Sequence, residues 1–441
     1  MLAIRRVRRF RAVSLLAGVT VLVTAAMLGG PGSAVAAGTP PTFSNFAAPA
    51  PLGRDSGEPS IGANWTTGNV MFQAGLQTLR VSFNDSTGTA TWADVSALDT
   101  SVVSLDPILY TDHRTNRTFV SQLSANCSLM AFSDDDGASW TQNPVGCGIA
   151  AQADHQTVGG GPFTPPLTGI GYQDSVYYCA QAVATAECSV SVNGGLSFGA
   201  GTPLYSAVTC GGLHGHVKIA PDGTAYVPNA DCGGQQAVVA STDNGTTWTV
   251  RKIPGTTTQD ESDPSIGIGS AGTVYVGYQN GNGHAGVAVS HDRGATWTNI
   301  QDVGASLGIQ NVQFPAVVAG DDDKAAFAFL GTTTGGNDQS SSFNGVWHLY
   351  VSATYDGGAT WSTVDATPTD PVQRGCIWLG GGSNQCRNLL DFMDVTIDQT
   401  GRILVGYADG CVGSCVTGGQ NSYTAIATIA RQSGGTDLIA P

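Results

Sequence analysis

An eight-residue string that recurs along the chain constrains the fold more than any other feature. It reads SDDDGASW at 133–140, and copies lie at 241–248 (STDNGTTW), 290–297 (SHDRGATW) and 354–361 (TYDGGATW), with a weaker one at 191–198 (SVNGGLSF). The copies begin roughly 50 to 64 residues apart, an interval that accommodates four short strands and their turns. The sequence therefore predicts one repeat architecture of four-stranded sheets instead of several unrelated domains.

A second pattern recurs in phase with this string. Each copy is an apolar strand, a polar turn and an alternating strand, which is typical of a β-hairpin. The seven hairpins lie at 57–75, 105–123, 153–182, 214–230, 262–280, 314–331 and 392–410. They predict an all-β, seven-bladed β-propeller, with six blades as the alternative. Since the last unit lacks the repeated string, we expect residues 41–49 to close the ring by supplying its outer strand.

The first 36 residues have the features of a signal peptide. Five arginines precede an apolar run at 13–29, and Ala34-Val35-Ala36 fits a signal-peptidase site. An uncleaved membrane anchor is the alternative. We expect cleavage to leave residues 37–441 as a single propeller domain, secreted, extracellular and monomeric, with no membrane span.

Charge and cysteine content narrow the classes of partner. Five of the 18 basic residues and none of the 33 acidic ones lie in the leader, so the remaining chain carries a charge of about −20. This field repels nucleic acid and anionic membranes, which we exclude as partners. Ten cysteines in an exported chain favour disulfides. Their spacing suggests the pairs 127/147, 179/188, 210/232, 376/386 and 411/415.

The repeated string, S/T-x-D-x-G-x-x-W, resembles the Asp-box or BNR repeat of the sialidase-like superfamily of β-propellers. The phrases DHQTVGGGPF, CGGLHGHVKIAPDG and RNLLDFMDVTID are similar to exported actinobacterial proteins labelled "sialidase family" or "BNR-like". The resemblance implies that the repeated turns are structural and lie on the face away from the ligand pocket. It also implies a glycan or glycoconjugate as the substrate.

Residues just before the hairpins are the candidates for chemistry, because the loops that lead into inner strands open on the ligand-binding face of a propeller. Converging carboxylates raise one another's pKa, which lets a glycosidase keep one acid protonated while another stays ionised. The candidate catalytic residues are Asp154, Asp263, Glu261, Asp391, Asp394, His214 and His216. The candidate substrate-binding residues are Glu58, Asp106, His155, Gln313, Trp378, Arg387 and Arg54. For each carboxylate taken singly, capping of backbone amides is the alternative role.

Departures from the sialidase pattern limit the expected activity. Glu58 stands where sialidases carry the first-blade arginine, and Arg54, Arg374 and Arg387 are the only arginines expected near the mouth. The sequence therefore argues against sialidase activity and predicts a glycoside hydrolase. A non-catalytic propeller that binds glycan or protein, and a polysaccharide lyase, are the alternatives. No cofactor is required for any of them, although calcium could occupy the channel.

Overall fold

Short strands with alternating or wholly apolar sequences and glycine-rich turns fold here into seven antiparallel sheets. The structure is a computed structural model that describes residues 38–124, 127–145, 154–182, 185–258 and 262–440. The proposed signal peptide, Cys147 and Glu261 lie outside the described residues. Each sheet is one blade, so the prediction of a seven-bladed propeller is confirmed.

The strands follow the chain in blade order. An N-terminal strand comes first, β1 (Thr42–Ala47). Blade 1 contains β2 (Ser60–Ala63), β3 (Val70–Ala74), β4 (Gln77–Asn84) and β5 (Thr89–Asp94). Blade 2 contains β6 (Pro107–Asp112), β7 (Arg117–Leu123), β8 (Ser128–Ser133) and β9 (Thr141–Gln142). Blade 3 contains β10 (Asp154–Gly161), β11 (Ser175–Gln181), β12 (Ala186–Ser191) and β13 (Thr202–Pro203). Blade 4 contains β14 (Lys218–Ile219), β15 (Ala225–Asn229), β16 (Ala237–Ser241) and β17 (Thr249–Lys252).

The remaining blades complete the ring. Blade 5 contains β18 (Ser265–Ile268), β19 (Val274–Gln279), β20 (Ala285–Ser290) and β21 (Thr298–Asp302). Blade 6 contains β22 (Asn311–Ala319), β23 (Ala325–Thr332), β24 (Val346–Thr354), β25 (Ser362–Asp365) and the short β26 (Gln373–Arg374). Blade 7 contains β27 (Asp394–Ile397), β28 (Ile403–Asp409) and β29 (Ile426–Gly434). Three short 3-10 helices lie at Ala305–Leu307, Gln385–Arg387 and Gly413–Cys415.

Strand β1 closes the ring as predicted. It pairs antiparallel with β29 and becomes the outer strand of blade 7, whose order is β1-β29-β28-β27. Neighbouring first strands contact each other around the ring, from β2 through β6, β10, β14, β18 and β22 to β27 and back to β2. These first strands therefore line the central channel, and residues close to their ends determine what each opening of the channel presents.

The repeated turns at 133–140, 241–248, 290–297 and 354–361 satisfy their own polar groups. In the first copy the Gly137 amide donates to Ser133 Oγ at 2.8 Å, and Asp135 accepts from the amide and hydroxyl of Ser139 at 2.8 and 2.6 Å. The other three copies repeat this arrangement. The hydrogen bonds from Ser139 lower the pKa of Asp135. The aspartates of the repeated string thus stabilise their own turns.

The repeated turns also fix which face is which. Asp136 accepts hydrogen bonds from Asn64 and Asn69 in the hairpin turn of the preceding blade, at 2.6 and 2.8 Å. Arg293 forms an ion pair with Asp222 in the hairpin turn of blade 4, with Nη2 2.7 Å from Oδ2. We call the face that carries the repeated turns and hairpin turns the lower face, and the opposite face, where the chain leads into the inner strands, the upper face.

Four of the predicted disulfides are present, at 179/188, 210/232, 376/386 and 411/415. The fifth predicted pair includes Cys147, outside the described residues. Disulfides persist in oxidising environments, so the four bonds are consistent with an extracellular protein. Within the described part of the chain, no helix has the length and apolar character needed to cross a bilayer.

Candidate functional site

The upper-face segments that lead into the inner strands hold unusual backbone conformations. Glu58, His155, Phe314 and Leu390 have φ values of 54°, 50°, 58° and 59°. Left-handed conformations cost non-glycine residues on the order of 1–3 kcal/mol and are concentrated at functional sites. The pairing of β10 with β11 is also interrupted by an irregularity just after Asp154. These features set the directions of the side chains at the upper opening.

Eight predicted residues come together at that opening, and we call them the mouth cluster. They are Glu58, Asp106, Asp154, His155, His214, Asp263, Arg387 and Asp391. His155 lies at the centre, with Nε2 3.2 Å from Asp263 Oδ1 and Nδ1 3.4 Å from Asp154 Oδ1. Burial alone would lower the pKa of His155, but the negative charges of Asp263 and Asp154 beside its two ring nitrogens outweigh burial and raise that pKa well above its usual range. The carboxylates around His155 therefore favour its protonated form.

Two carboxyl groups beside His155 have opposite pKa shifts. Asp154 has a side chain that is 61% exposed, and the hydrogen bond from His155 lowers its pKa. Asp106 is only 4% exposed, and desolvation raises its pKa to about 7 although its Oδ2 accepts the Gln156 amide at 2.8 Å. One polar atom from each of Asp106, Asp154 and His155 lies within 4.8 Å of the others. An acid that keeps its proton up to about pH 7 thus lies beside a carboxylate that ionises at lower pH than usual.

The other acids of the cluster are held by burial and by one arginine. Arg387 donates to both oxygens of Asp391, at 2.5 and 2.6 Å. Desolvation, with repulsion from Asp106 and Asp391, raises the pKa of Glu58 well above its usual range. Desolvation also raises the pKa of Asp263, despite the opposing effect of His155. Several buried acids therefore bind protons more tightly in the folded protein than in the unfolded chain.

We expect this arrangement to make stability pH dependent. The folded pKa of Asp106 is raised, so its contribution to the free energy of unfolding is lost as pH rises from about 4 to about 7. The raised pKa values of Glu58 and Asp263 likewise make stability fall as pH rises. His155 acts in the same direction, because its contribution is present below its unfolded pKa and is lost as pH rises through its raised folded pKa.

Asp154 and His214 have the opposite sign. The effect of Asp154 lies below pH 4, whereas His214, whose folded pKa is lowered from 6.5 to about 4, adds stability as pH rises between those two values. Between pH 5 and 8, Asp106 alone should cost about 3 kcal/mol.

Urea denaturation at pH 5 and pH 8 measures this loss. Asp106→Asn should lose less stability than the native chain over this interval, because its side chain no longer titrates. Asp323→Asn, at an exposed position on the lower face, should match the native chain. Equal losses in Asp106→Asn and the native chain would contradict a raised pKa for Asp106.

The structure divides the two neighbouring histidines between two places. His214 belongs to the mouth cluster, with its ring centroid 6.2 Å from that of His155, and desolvation lowers its pKa to about 4. His216 lies deeper and contacts Phe392 edge to face, at a centroid distance of 4.8 Å. Phe392 is buried in the cluster that includes Ile108 and Val158 of the inner strands. Phe392 therefore packs between His216 and the inner strands of blades 2 and 3.

The inner strands enclose a cavity of about 630 Å³, which we call the channel cavity. Inner-strand residues such as Ile61 and Ile266 line its walls, His216, Lys218 and Asp394 reach it, and Trp65 and other hairpin-turn residues line its lower-face end. The predicted pocket on the face away from the repeated turns is thus corrected, because this cavity extends toward the face that carries them. Buried side chains fill much of the upper opening instead.

The remaining predicted residues lie apart from the mouth cluster. Gln313 is buried and donates to Asp338 Oδ2 at 2.8 Å. Trp378 donates its indole N–H to the Gly381 carbonyl at 2.8 Å, within the loop that the 376/386 disulfide closes. Arg54 is exposed and donates to the Ala48 carbonyl at 3.1 Å. Of these three, none has a described contact with the cluster.

Two important residues were missed in the sequence. Lys218 follows His216 by two positions, the spacing that places both on one face of a strand. That spacing was a usable signal for a basic group in the channel. Phe392 had no comparable signal, since an aromatic residue before a strand is ordinarily read as core.

Asp106, Asp154 and His155 are the described residues that could hold a metal ion. Calcium prefers oxygen ligands. The set offers carboxylate oxygens from two residues and one imidazole nitrogen, fewer oxygens than the roughly six to eight that calcium takes. The donor set therefore fits calcium poorly.

Comparisons with known proteins establish the fold alone. No protein-family model and no curated protein matches the chain. The Niastella koreensis GH74 enzyme is similar at 18% identity and a TM-score of 0.52, over 86% of this chain and 55% of that one, so the chain spans about half its length. Two further structures have lower TM-scores of 0.40. The first is the Ruminococcus gnavus intramolecular trans-sialidase, at 13% identity over 85% of this chain and 93% of that one. The second is an Aleuria aurantia lectin variant in complex with alpha-methyl-L-fucoside, at 12% identity over 74% of this chain and 96% of that one. The chain is therefore similar in fold to a GH74 enzyme. In this chain, the upper opening of the propeller carries an acidic cluster.

Proposed function

We propose that the chain is a secreted glycan-processing enzyme, a glycoside hydrolase, that works at the mouth cluster. The observation that carries this proposal is the adjacent pair of carboxyl groups, the buried Asp106 with a raised pKa and the exposed Asp154 with a lowered one. The repeated turns fit the Asp-box pattern, and we place the chain among sialidase-like propellers on that basis. Residues 1–36 would be removed on export.

The pair supplies the two groups that glycoside hydrolysis needs. Asp106 would donate a proton to the leaving-group oxygen, and Asp154, on the exposed side, would attack the sugar or stabilise its positive charge. Polar atoms within 4.8 Å of each other suit the short separation of retaining enzymes. His155 would hold Asp154 ionised and oriented, which makes it a positioning residue.

The surrounding charge favours neutral glycans. The oxocarbenium-like transition state is positive, so a mouth lined by acids stabilises it while repelling an anionic substrate. Arg387, the cation that a sialoside or uronate would need, is bound to both oxygens of Asp391. This pairing also lowers the support for a polysaccharide lyase.

A binding propeller without catalysis is the second candidate. Its supporting observation is the burial of the cluster, since Glu58, His155, His214 and Asp263 are all less than 9% exposed. A mouth filled by paired side chains would recognise a glycan or a protein through its rim and would not enclose a sugar. Calcium at the mouth remains a prediction that chelation followed by calcium addition would test.

A screen of the purified chain tests the proposal. Residues 37–441 would be incubated with neutral glycans, sialosides and uronic-acid polymers, and the products followed by mass spectrometry. We expect cleavage of a neutral glycan with retention of anomeric configuration, read by NMR. Binding without cleavage would support the second candidate, and cleavage confined to uronic-acid polymers would support a lyase. If no glycan is bound or cleaved, the glycan-related function is wrong.

A further inference from the structure

We propose that the channel cavity is a second ligand site, separate from the mouth cluster, for a small molecule that has an apolar body and one carboxylate. The cavity volume, about 630 Å³, lies in the range of small-molecule sites. Its walls come from inner strands and include Ile61, Ile108, Ile266 and Val317. Such walls favour an aliphatic or aromatic body.

The polar end of the site is the ammonium group of Lys218. This side chain is half-buried, lines the cavity, and makes no hydrogen bond or close ion pair with any described residue. The neighbouring carboxylate, Asp394, accepts from the amides of Ile61 and Val395 at 3.3 and 2.9 Å and does not pair with Lys218 directly. Desolvation raises the pKa of Asp394, and the charge of Lys218 opposes that rise. The Lys218 ammonium, which donates to no described residue, is stabilised by an anion that brings its own apolar surface.

His216 offers a second polar contact at the same end. Its ring lines the cavity and has no hydrogen bond to a described residue. Burial, with the charge of Lys218, lowers the pKa of His216 well below its usual range, so the ring is neutral and carries one N–H donor. One carboxylate can accept from both groups, since His216 and Lys218 line the same cavity.

The site is independent of the proposed hydrolase activity. Of the eight residues of the mouth cluster, none lines the channel cavity. The cavity instead reaches hairpin turns of the lower face, where Trp65 and His113 stack at a centroid distance of 4.2 Å. A ligand would enter from that face without passing Asp154.

Isothermal titration with decanoate below its micellar concentration tests the proposal. Decanoate should bind the full chain, and Lys218→Met should weaken it by roughly 10- to 100-fold, the usual loss when a charged hydrogen bond is removed. Lys218→Arg should retain most of the affinity. Lys252→Met, at an exposed lysine of strand β17, should bind as the native chain does.

Two further arms keep the test decisive if Lys218→Met misfolds. On the native chain, decyltrimethylammonium should bind at least tenfold more weakly than decanoate, because its head group has the opposite charge and cannot accept a hydrogen bond. Asp154→Asn should bind decanoate normally, which separates this site from the proposed activity. Absence of decanoate binding, equal affinity for the two head groups, or equal affinity of folded Lys218→Met and native chain would each overturn the proposal.

Discussion

A chain that begins at Pro49 is expected not to fold stably, because it lacks the strand that closes the propeller. Strand β1 pairs with β29 along six of its residues, from Thr42 to Ala47. Asn45 adds hydrogen bonds to the Ala366 carbonyl and from Tyr407, at 2.8 and 3.1 Å. At about 1 kcal/mol for each hydrogen bond, the loss is on the order of 5 kcal/mol or more. That is comparable with the whole stability of an ordinary domain.

Thermal unfolding and size-exclusion chromatography measure this effect against a matched chain that begins at Gly38. The longer chain should unfold cooperatively and elute as a compact monomer. The shorter chain should aggregate or melt far lower, since β29 then presents an unpaired edge. Equal melting temperatures would show that blade 7 does not depend on β1.

The repeated turns explain why so much of the fold could be predicted. Their hydrogen bonds are local, as in Ser133 with Gly137 and Asp135 with Ser139, so eight residues determine each turn wherever it occurs. Their period gave the blade count, and the missing copy in the last unit indicated ring closure by the N-terminal strand. Four disulfides followed from short spacing. Local encoding makes such features readable from sequence.

The candidate site was only partly predictable, because the directions of its side chains depend on packing between residues that are distant in sequence. The positive φ values at Glu58 and His155 and the irregularity after Asp154 break the simple alternation of strand faces. Alternation suggested that His214 and His216 act together, whereas His214 belongs to the mouth cluster and His216 lines the channel cavity. Nothing in the sequence shows that Phe392 contacts His216. The channel cavity with Lys218 was therefore missed.

The largest kinetic effect is expected from Asp154→Asn, measured on the neutral glycan that the native chain cleaves. This variant keeps the size of the side chain but removes the ionised carboxylate, so kcat should fall about 10³-fold or more while the fold persists. Asp106→Asn should also reduce kcat. In the native chain kcat/KM should fall tenfold per pH unit above about pH 7, because Asp106 must carry its proton.

A structural role for Asp154 would also lower activity, so a second readout separates the two explanations. In Asp154→Ala, added azide or formate can occupy the space that the carboxylate leaves, and should restore part of the activity if Asp154 contacts the reacting sugar. With azide, the product should be a glycosyl azide that mass spectrometry detects. Asp323→Asn, exposed on the lower face, should keep native kinetics. Full activity in Asp154→Asn would remove the carboxylate pair as the catalytic centre, because Asp154 is its one well-exposed member.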